Sequence, residues 1–226
     1  MRERQITPET VSDTAATIES DVVGRVRPAR AAAQATRASL LSAAYHDMRR
    51  SGYQGAGIGD ILSRTGLTKG AFYHHFESKR DLGLAVLDDC VAADLTKWWV
   101  DPVSDADDPL GAIRFAVETR LFNADEGDLA EGSPFATLTA DMAPLDDAFR
   151  ARLDALYRTW RKAFTKALRR GQQTGMVRAD MDADASAALI VAAIEGVFLQ
   201  VKAAPRADAG SAALIGLIGY LDSLRA

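Results

Sequence analysis

Residues 66–82, GLTKGAFYHHFESKRDL, constrain the fold of this chain more strongly than any other segment. Gly66 and Leu67 predict a tight turn, and Thr68 is a favourable N-terminal cap for a helix. That helix is barely two turns long, because Ser78 with Asp81 three residues later is a capping box that starts another helix. A turn followed by a short capped helix is typical of the second half of a helix-turn-helix. The segment therefore predicts a DNA-reading helix over residues 69–75.

The charge distribution also favours DNA as a partner. The whole chain has a net charge of -4, whereas residues 25–80 contain ten Lys or Arg against three acids, which makes this window about +7. A basic module on an acidic body is typical of a specific DNA binder, and the alternative is a solvated basic face without a partner. Lys79 and Arg80 begin a helix, where cations oppose the helix dipole, and a nearby phosphate would explain both.

Apolar spacing predicts an all-α fold. Residues 1–32 lack this spacing and contain Pro28, so we expect a flexible N-terminal extension that is not helical across the proline. We expect a helical DNA-binding domain over residues 33–80 and a second helical domain over residues 81–226, which the resemblance described below implies is the ligand-binding and dimerisation domain. The predicted helices cover about residues 33–51, 58–65, 69–75, 79–100, 109–123, 135–142, 146–173, 184–202 and 208–224.

The helix over residues 184–202 is apolar nearly all round, and a helix of that kind must be buried on every face. In a chain of 226 residues we expect a second subunit to cover one face, and the small residues Ala192, Ala193 and Gly196 permit close approach. We therefore predict a homodimer formed through the helices at 146–173 and 184–202.

Other classes of protein find little support. The three histidines all lie in the basic module and Cys90 is the single cysteine, so no catalytic residues and no metal site can be assigned. Gly55, Gly57 and Gly59 imitate a phosphate-binding loop, but no strand precedes them. The longest apolar stretch contains Glu195, and the N-terminus has no signal-peptide pattern. We expect a cytoplasmic, non-membrane protein that is not an enzyme and needs no cofactor.

A set of short motifs resembles the TetR family of bacterial repressors. These motifs are Gly52-Tyr53, Ile58-Gly-Asp60-Ile61, Thr65-Gly66-Leu67-Thr68-Lys-Gly70, Phe72-Tyr73-His-His75-Phe76, and Ser78-Lys79 with Leu82. The resemblance implies an all-helical homodimer that binds double-stranded operator DNA and is released from it by a small-molecule effector. A different hypothesis is a DNA-organising or partner-binding protein of the same fold that responds to no ligand.

The resemblance also implies roles for individual residues. Thr68, Lys69 and Tyr73 would face bases or the nearby backbone, and Tyr73, His75 and Lys79 match positions that clamp phosphates. Phe72 and Phe76 match core positions. Two departures from the family pattern are Ala56-Gly57, which gives the second helix no side-chain cap, and Ser133, which replaces a cysteine found in a subgroup. With the adjacent residues and an arginine-rich arm, the predicted DNA-binding set is Thr68, Lys69, Gly70, Tyr73, His74, His75, Lys79, Arg25, Arg27 and Arg30.

The arginine-rich arm has a second interpretation, because a leader that only improves solubility would have the same composition. The ligand site is predicted from aromatic and polar residues of the second half, each of which plain core packing also explains. Glu195 is charged within an apolar helix, so it belongs either to the pocket or to a dimer-interface hydrogen bond. A sizeable aromatic-lined cavity would favour ligand control, and a solid core the rival. The predicted ligand-binding set is Trp98, Phe115, Glu118, Phe122, Phe135, Thr137, Trp160, Phe164, Glu195 and Phe198.

Overall fold

The computed structural model describes residues 9–122, 131–204 and 210–226, with side chains from residue 30 onward except 121–130. Within these ranges the secondary structure is helical, which confirms the all-α expectation. A composite helix α4 spans residues 79–104. The other helices are α1 (Glu9–Gly55), α2 (Ile58–Thr65), α3 (Lys69–His75), α5 (Pro109–Phe122), α6 (Pro134–Met142), α7 (Asp147–Thr174), α8 (Ala183–Ala203) and α9 (Ser211–Ser223).

The start of α1 corrects the sequence analysis. The first helix was expected near Ala33, with a non-helical segment around Pro28, but α1 begins at Glu9 and continues across this proline. The predicted non-helical conformation of residues 9–32 is therefore wrong. A proline inside a helix removes one hydrogen bond, here to the carbonyl of Gly24. Five of the next seven residues are alanine, the strongest helix former, which favours continuation.

Helix α4 links the N-terminal helices to the rest of the chain and extends further than predicted. It begins as Lys79–Ala85, passes through two π-helical segments, Val86–Val91 and Thr96–Val100, and ends as Asp101–Ser104. The expected break at Asp101 therefore begins four residues later. Helical spacing predicts five inward residues on this helix, of which Leu82, Val86, Val91 and Leu95 are buried and Ala85 is half-buried.

The core of the second half is built around α7 and α8. The predicted apolar stripe of α7 is buried at Phe149, Leu153, Trp160, Phe164 and Leu168. Among the described residues, only α8 is long and apolar enough to cross a membrane by length and composition, and half of that stretch is buried inside the fold. Burial of this kind is usual for the core helix of a globular domain.

The end of α1 is locked against α6, and this contact joins the two halves of the chain. Gly52 has a positive φ of 76°, and a Cβ atom there would lie 2.8 Å from the Asp141 carboxylate. The same carboxylate accepts a hydrogen bond from the backbone N–H of Gln54 at 2.9 Å. Glycine is therefore required at position 52 both by its backbone conformation and by this close approach.

Candidate DNA interface and buried carboxylate site

Helices α2 and α3, with the turn between them, form a complete helix-turn-helix. Helix α2 ends at Gly66, which adopts the left-handed conformation with φ 67°. The Thr68 hydroxyl caps α3 by accepting a hydrogen bond from the Ala71 N–H at 3.2 Å. Ser78 caps α4 in the same way, accepting from the Asp81 N–H at 3.1 Å. The predicted bounds of α2 and α3 and both predicted caps are confirmed.

Two faces of α3 have opposite environments. Phe72 and Phe76 are buried, as predicted, and they fix the helix to the N-terminal core. Lys69 and Tyr73 lie one turn apart, and Tyr73 is 57% exposed although it is a large aromatic residue. An exposed aromatic and a cation on one helical face are well suited to contact bases and phosphates.

The remaining predicted residues of α3 surround this face. Thr68, Gly70 and His74 are exposed, whereas His75 is half-buried. A Cβ atom on Gly70 would meet only the Thr68 hydroxyl, at 3.8 Å, which is an ordinary contact. Since the protomer itself tolerates a side chain at position 70, the glycine matters only if another molecule approaches the helix there.

Several cations of the basic window already have carboxylate partners. Arg37 contacts Asp89 at 2.8 Å and Arg64 contacts Asp47 at 2.7 Å. Arg49, a third member, contacts Glu131 at 3.0 Å. These contacts neutralise part of the charge that the sequence assigns to the window, so the exposed face of α3 carries more of the remaining positive potential.

Arg80 is also paired, which revises the phosphate interpretation of Lys79 and Arg80. The Arg80 guanidinium makes two hydrogen bonds to Asp146, at 2.6 and 3.0 Å, and these hold the pKa of this carboxyl to about 2. Lys79 donates to the Gln54 carbonyl at 3.3 Å and lies 4.6 Å from the Tyr53 ring centre, while partial burial lowers its pKa. Both cations have partners within the chain.

The arginines of the predicted arm are only partly described. Arg30 is exposed on α1. The side chains of Arg25 and Arg27 lie outside the described residues, although their backbone is part of α1.

A carboxylate is buried at the centre of the second half. Glu195, on α8, is only 8% exposed. Its two oxygens accept hydrogen bonds from the Ser133 hydroxyl at 2.8 and 2.9 Å, and Tyr157 donates to one of them at 3.1 Å. Burial raises the pKa of Glu195 to about 7, although the hydrogen bonds from Ser133 and Tyr157 act in the opposite direction. The Glu195 carboxyl is therefore satisfied within the protomer by the hydroxyls of Ser133 and Tyr157.

Glu195 also lines an open pocket of 480 Å³ between α7 and α8. A hollow of 270 Å³ shares Arg161 and Ala188 with this pocket, and a further hollow of 520 Å³ shares Lys162, Thr165 and Asp184 with the first hollow. They form one groove, whose α7 wall is strongly basic and whose α8 wall is rich in alanine. The basic residues are Arg158, Arg161, Lys162, Lys166, Arg169 and Arg170.

The predicted aromatic residues pack against one another instead of lining a large cavity. Trp160 and Phe164 are fully buried, and Trp160 lies 4.8 Å from Trp99 and 5.4 Å from Phe135 between ring centres. The cavity beside Trp98, Phe135 and Phe198 measures 20 Å³, about enough for one water molecule. The space beside these three aromatic residues is therefore too small for an organic effector.

Other predicted ligand residues lie apart from Glu195. Phe115 is 69% exposed and Glu118 pairs with Arg114 on the surface at 2.9 Å, so neither contributes to the pocket. The Thr137 hydroxyl accepts a hydrogen bond from Lys202 at 2.9 Å. The side chain of Phe122 lies outside the described residues.

Three residues near Glu195 escaped the sequence analysis. Helical spacing alone places Tyr157 on the apolar side of α7, and the sequence marks Ser133 only as the replacement of a cysteine. Arg49 was counted only as part of the basic window, yet it is 4% exposed and contacts the chain next to Ser133. The signal for Ser133 was its position before Pro134, since a serine preceding a proline is a good helix cap.

The raised pKa of Glu195 leads to a stability prediction. The pKa of the Glu195 carboxyl is about 7 in the folded chain and has its ordinary value of 4.5 in the unfolded chain, so the folded chain binds this proton more tightly. The free energy of unfolding therefore falls as the pH rises through 7. Between pH 6 and pH 8 we expect this group to remove about 1 kcal/mol from the free energy of unfolding. Urea unfolding at both pH values should show this loss for the wild type and a smaller loss for Glu195→Gln. Equal losses would contradict the prediction.

An exposed short helix on a capped helix-turn-helix, joined by α4 to a helical body with a buried carboxylate, defines a DNA-binding protein with a regulatory domain. Residues 40–86 match the family described as "Bacterial regulatory proteins, tetR family", and residues 109–214 match "Tetracyclin repressor-like, C-terminal domain". The chain belongs to the TetR family and is a DNA-binding transcriptional regulator.

Similar proteins agree with this assignment. Transcriptional regulator AcuR of Cereibacter sphaeroides is 32% identical over 194 residues, which cover 82% of this chain and 84% of the relative. HTH-type transcriptional repressor DhaR of Mycobacterium sp. is 30% identical over 151 residues, covering 67% and 74%. A TetR transcriptional regulator from Chloroflexus aurantiacus has a solved structure that is 26% identical, with a TM-score of 0.75 over 85% of this chain and 97% of that one.

Proposed function

We propose that this chain is a homodimeric repressor of the bacterial cytoplasm, without enzymatic activity, that binds operator DNA through α3 and leaves it when a small molecule binds the second half. The observation that carries the proposal is the exposed face of Lys69 and Tyr73 on an otherwise well-packed helix. Two such helices, about 34–36 Å apart in a dimer, would read successive major grooves of DNA. A ligand that changes this separation lowers the affinity for the operator.

The Glu195 pocket is the best place for the effector. It combines a volume of 480 Å³, suited to a small organic molecule, with a buried carboxyl and the Tyr157 hydroxyl. A ligand with a hydrogen-bond donor could bind the Glu195 carboxyl, which lines the pocket. The aromatic cluster, in contrast, fills its own space, so the packed aromatics agree equally well with a ligand-independent DNA-organising protein.

The dimer would form on the face of α8 beside the Glu195 pocket, so that the second protomer covers the open side of the pocket and leaves its volume to the effector. Leu189 and Leu199 of α8 are 52% and 50% exposed, and exposed large apolar residues on one helix indicate a contact surface. The small residues Ala185, Ala188, Ala192 and Gly196 share this face at helical spacing. We propose that the same helices of a second protomer pack here, giving a four-helix interface.

A selection experiment tests the DNA-binding function. The purified protein is incubated with a pool of random DNA duplexes, and the bound duplexes are sequenced. We expect recovery of a two-fold symmetric site whose half-sites are about one helical turn apart. Release of that duplex by a fraction of a metabolite library would support ligand control. Recovery of no common sequence would contradict the regulator, and a site that no compound releases favours the ligand-independent alternative.

Arg25, Arg27 and Arg30 of the predicted arm give a quantitative prediction. Each phosphate that they neutralise adds about 0.9 to the slope of log affinity against log salt. Deleting residues 1–30 should therefore weaken operator binding and flatten the slope by up to about 2.7 per subunit, while sequence preference persists. Binding titrations at several salt concentrations measure both quantities. An unchanged slope and affinity would mean that the extension is only a leader.

A further inference from the structure

Residues 131–133, just before α6, are held from two sides. On one side, the Arg49 guanidinium of α1 donates a hydrogen bond to the Gly132 carbonyl at 3.1 Å and contacts the Glu131 carboxylate at 3.0 Å. On the other side, the Ser133 hydroxyl donates to Glu195 of α8 at 2.8 Å. This short segment, the 131–133 junction, is thus the meeting point of the DNA-binding half and the Glu195 site.

Lys202 makes a second connection at the same junction. It follows Glu195 by seven residues, so both side chains leave α8 on the same face. Its ammonium donates to the Arg49 carbonyl at 2.5 Å and to the Glu131 carbonyl at 3.2 Å. Helix α8 therefore contacts α1 directly at Lys202 and indirectly through the junction at Glu195.

The junction leaves little freedom for independent movement. Gly132 has a positive φ of 70°, and a Cβ atom there would lie 2.8 Å from the Lys202 side chain. Arg49 is 4% exposed, and a guanidinium buried to this extent must keep its hydrogen-bond partners. If the Gly132 carbonyl moves, Arg49 must follow it or lose these contacts.

The connection extends from Arg49 to the helix-turn-helix. Two residues before Arg49, the buried Asp47 binds the Arg64 guanidinium at 2.7 Å, and Arg64 lies at the end of α2. The opposite end is equally well defined, because the Ser133 hydroxyl caps α6 by accepting from the Phe135 N–H at 3.1 Å. A change in the Ser133 hydroxyl therefore alters both the Glu195 contact and the first turn of α6.

We infer that Arg49 is a positioning residue that transmits the state of the Glu195 site, through Ser133 and Gly132, to the orientation of α1 and α2. This inference rests on the proposed function, because it supposes that the effector occupies the Glu195 pocket. The route is separate from α4, the covalent link between the two halves. A ligand that competes for the Glu195 carboxyl releases Ser133, and the displaced junction moves Arg49 and the α1–α2 pair with it.

A double-mutant cycle tests the route without knowledge of the effector. Glu195→Gln keeps the shape of the side chain and removes its negative charge. The experiment is run at pH 8, because the pKa of the wild-type carboxyl is about 7, and there the substitution perturbs the site in place of a ligand. Arg49→Met keeps the aliphatic length and removes the guanidinium. The probe is the duplex that the wild type recovers from the random pool, and its dissociation constant is measured for folded dimers of each variant.

We expect Glu195→Gln to change the dissociation constant at least fivefold in the wild-type background, within the usual range of coupling between sites. In the Arg49→Met background the same substitution should change it less than twofold. Arg49→Lys, which restores one donor, should recover part of the response. A residue that only stabilised the fold would leave the fold-change caused by Glu195→Gln unaltered.

Two further backgrounds keep the test decisive if Arg49→Met does not fold. Ser133→Ala breaks the route at its other end and should also reduce the response below twofold. Arg37→Met is the matched control, because Arg37 also lies on α1 but pairs with Asp89 on α4. The response to Glu195→Gln should persist there, and its loss only there would assign the coupling to α4.

The outcomes separate this inference from the function on which it rests. The route is overturned if Glu195→Gln changes the dissociation constant less than twofold in the wild-type background. It is also overturned if Glu195→Gln causes the same fold-change in the Arg49→Met and Ser133→Ala backgrounds as in the wild type, since the substitutions then act independently. Neither result affects the proposed operator binding. Failure of the wild type to select any duplex overturns the proposed function and the inference together.

Discussion

Replacing Lys69 or Tyr73 by alanine should abolish specific operator binding while the protein remains folded and dimeric. Both side chains are exposed on α3, whereas Phe72 and Phe76 of the same segment are buried and fix the helix to the core. A base contact of good geometry contributes about 1–3 kcal/mol, and a dimer makes each contact twice. The expected loss is therefore about 2–6 kcal/mol, or roughly 30-fold to more than 10,000-fold in the dissociation constant.

Titration of the selected duplex against a scrambled duplex measures this loss as a specificity ratio. Lys97→Ala is the matched control, because Lys97 is an exposed lysine on α4 whose ammonium lies over the Trp98 ring, away from α3. It should bind the operator as the wild type does. Operator affinity at the wild-type level in both Lys69→Ala and Tyr73→Ala would remove α3 as the DNA-reading element.

The helix-turn-helix could be predicted from sequence because its determinants are local. Thr68 accepts from the Ala71 N–H and Ser78 from the Asp81 N–H, each three residues away, so the spacing alone reveals both caps. The backbone conformation of Gly66 follows similarly from the need to end α2 in a left-handed turn. Helix bounds in the second half were also predicted closely, since the apolar stripe of α7 repeats with helical spacing.

The functional contacts of the second half could not be predicted because they join distant parts of the chain. Arg80 and Asp146 are 66 positions apart, and Arg49 and Gly132 are 83 apart. Spacing contains no information on such pairs, so Arg80 was interpreted as a phosphate ligand. Helical spacing also could not decide which face of α5 packs inward. In the structure Phe115 is exposed and Val117 is buried.

The burial of Glu195 could be anticipated for a physical reason, whereas its role in binding a ligand stays a prediction. A charge within an apolar helix must find partners or stay at the surface, so burial with donors was foreseeable. The identity of the donors depended on tertiary packing that places Ser133 and Tyr157 against α8. The sequence could not distinguish aromatic residues of the core from aromatic residues of a pocket, because both recur with the same helical spacing.

Replacing Gly196 by phenylalanine should dissociate the dimer while leaving the protomer folded. A Cβ atom on Gly196 meets nothing within 4 Å in the protomer, so the larger side chain has room there. Phenylalanine is also a better helix former than glycine, which favours the folded protomer. A second protomer packed on the small residues of α8 would meet the new ring directly, and close-packed interfaces tolerate such insertions poorly.

The expected effect is large because two-fold symmetry brings both substituted positions into one interface. Overpacking costs about 1–3 kcal/mol per site, so two sites weaken the dimer by about 2–6 kcal/mol. A monomer presents one recognition helix where the operator offers two half-sites, so cooperative binding should disappear with the dimer. Sedimentation at micromolar concentration measures assembly, and operator titration measures the loss of cooperativity.

Gly219→Phe provides the matched control, since Gly219 of α9 is exposed and has equally open surroundings but lies outside the two proposed interface helices. It should sediment as a dimer and bind the operator as the wild type does. Dimers of wild-type stability in Gly196→Phe would move the interface away from α8. A wild type that sediments as a monomer at micromolar concentration would rule out the four-helix interface. Leu189 and Leu199 of α8 would then be exposed to water in the native protein and would not mark a contact with a second protomer.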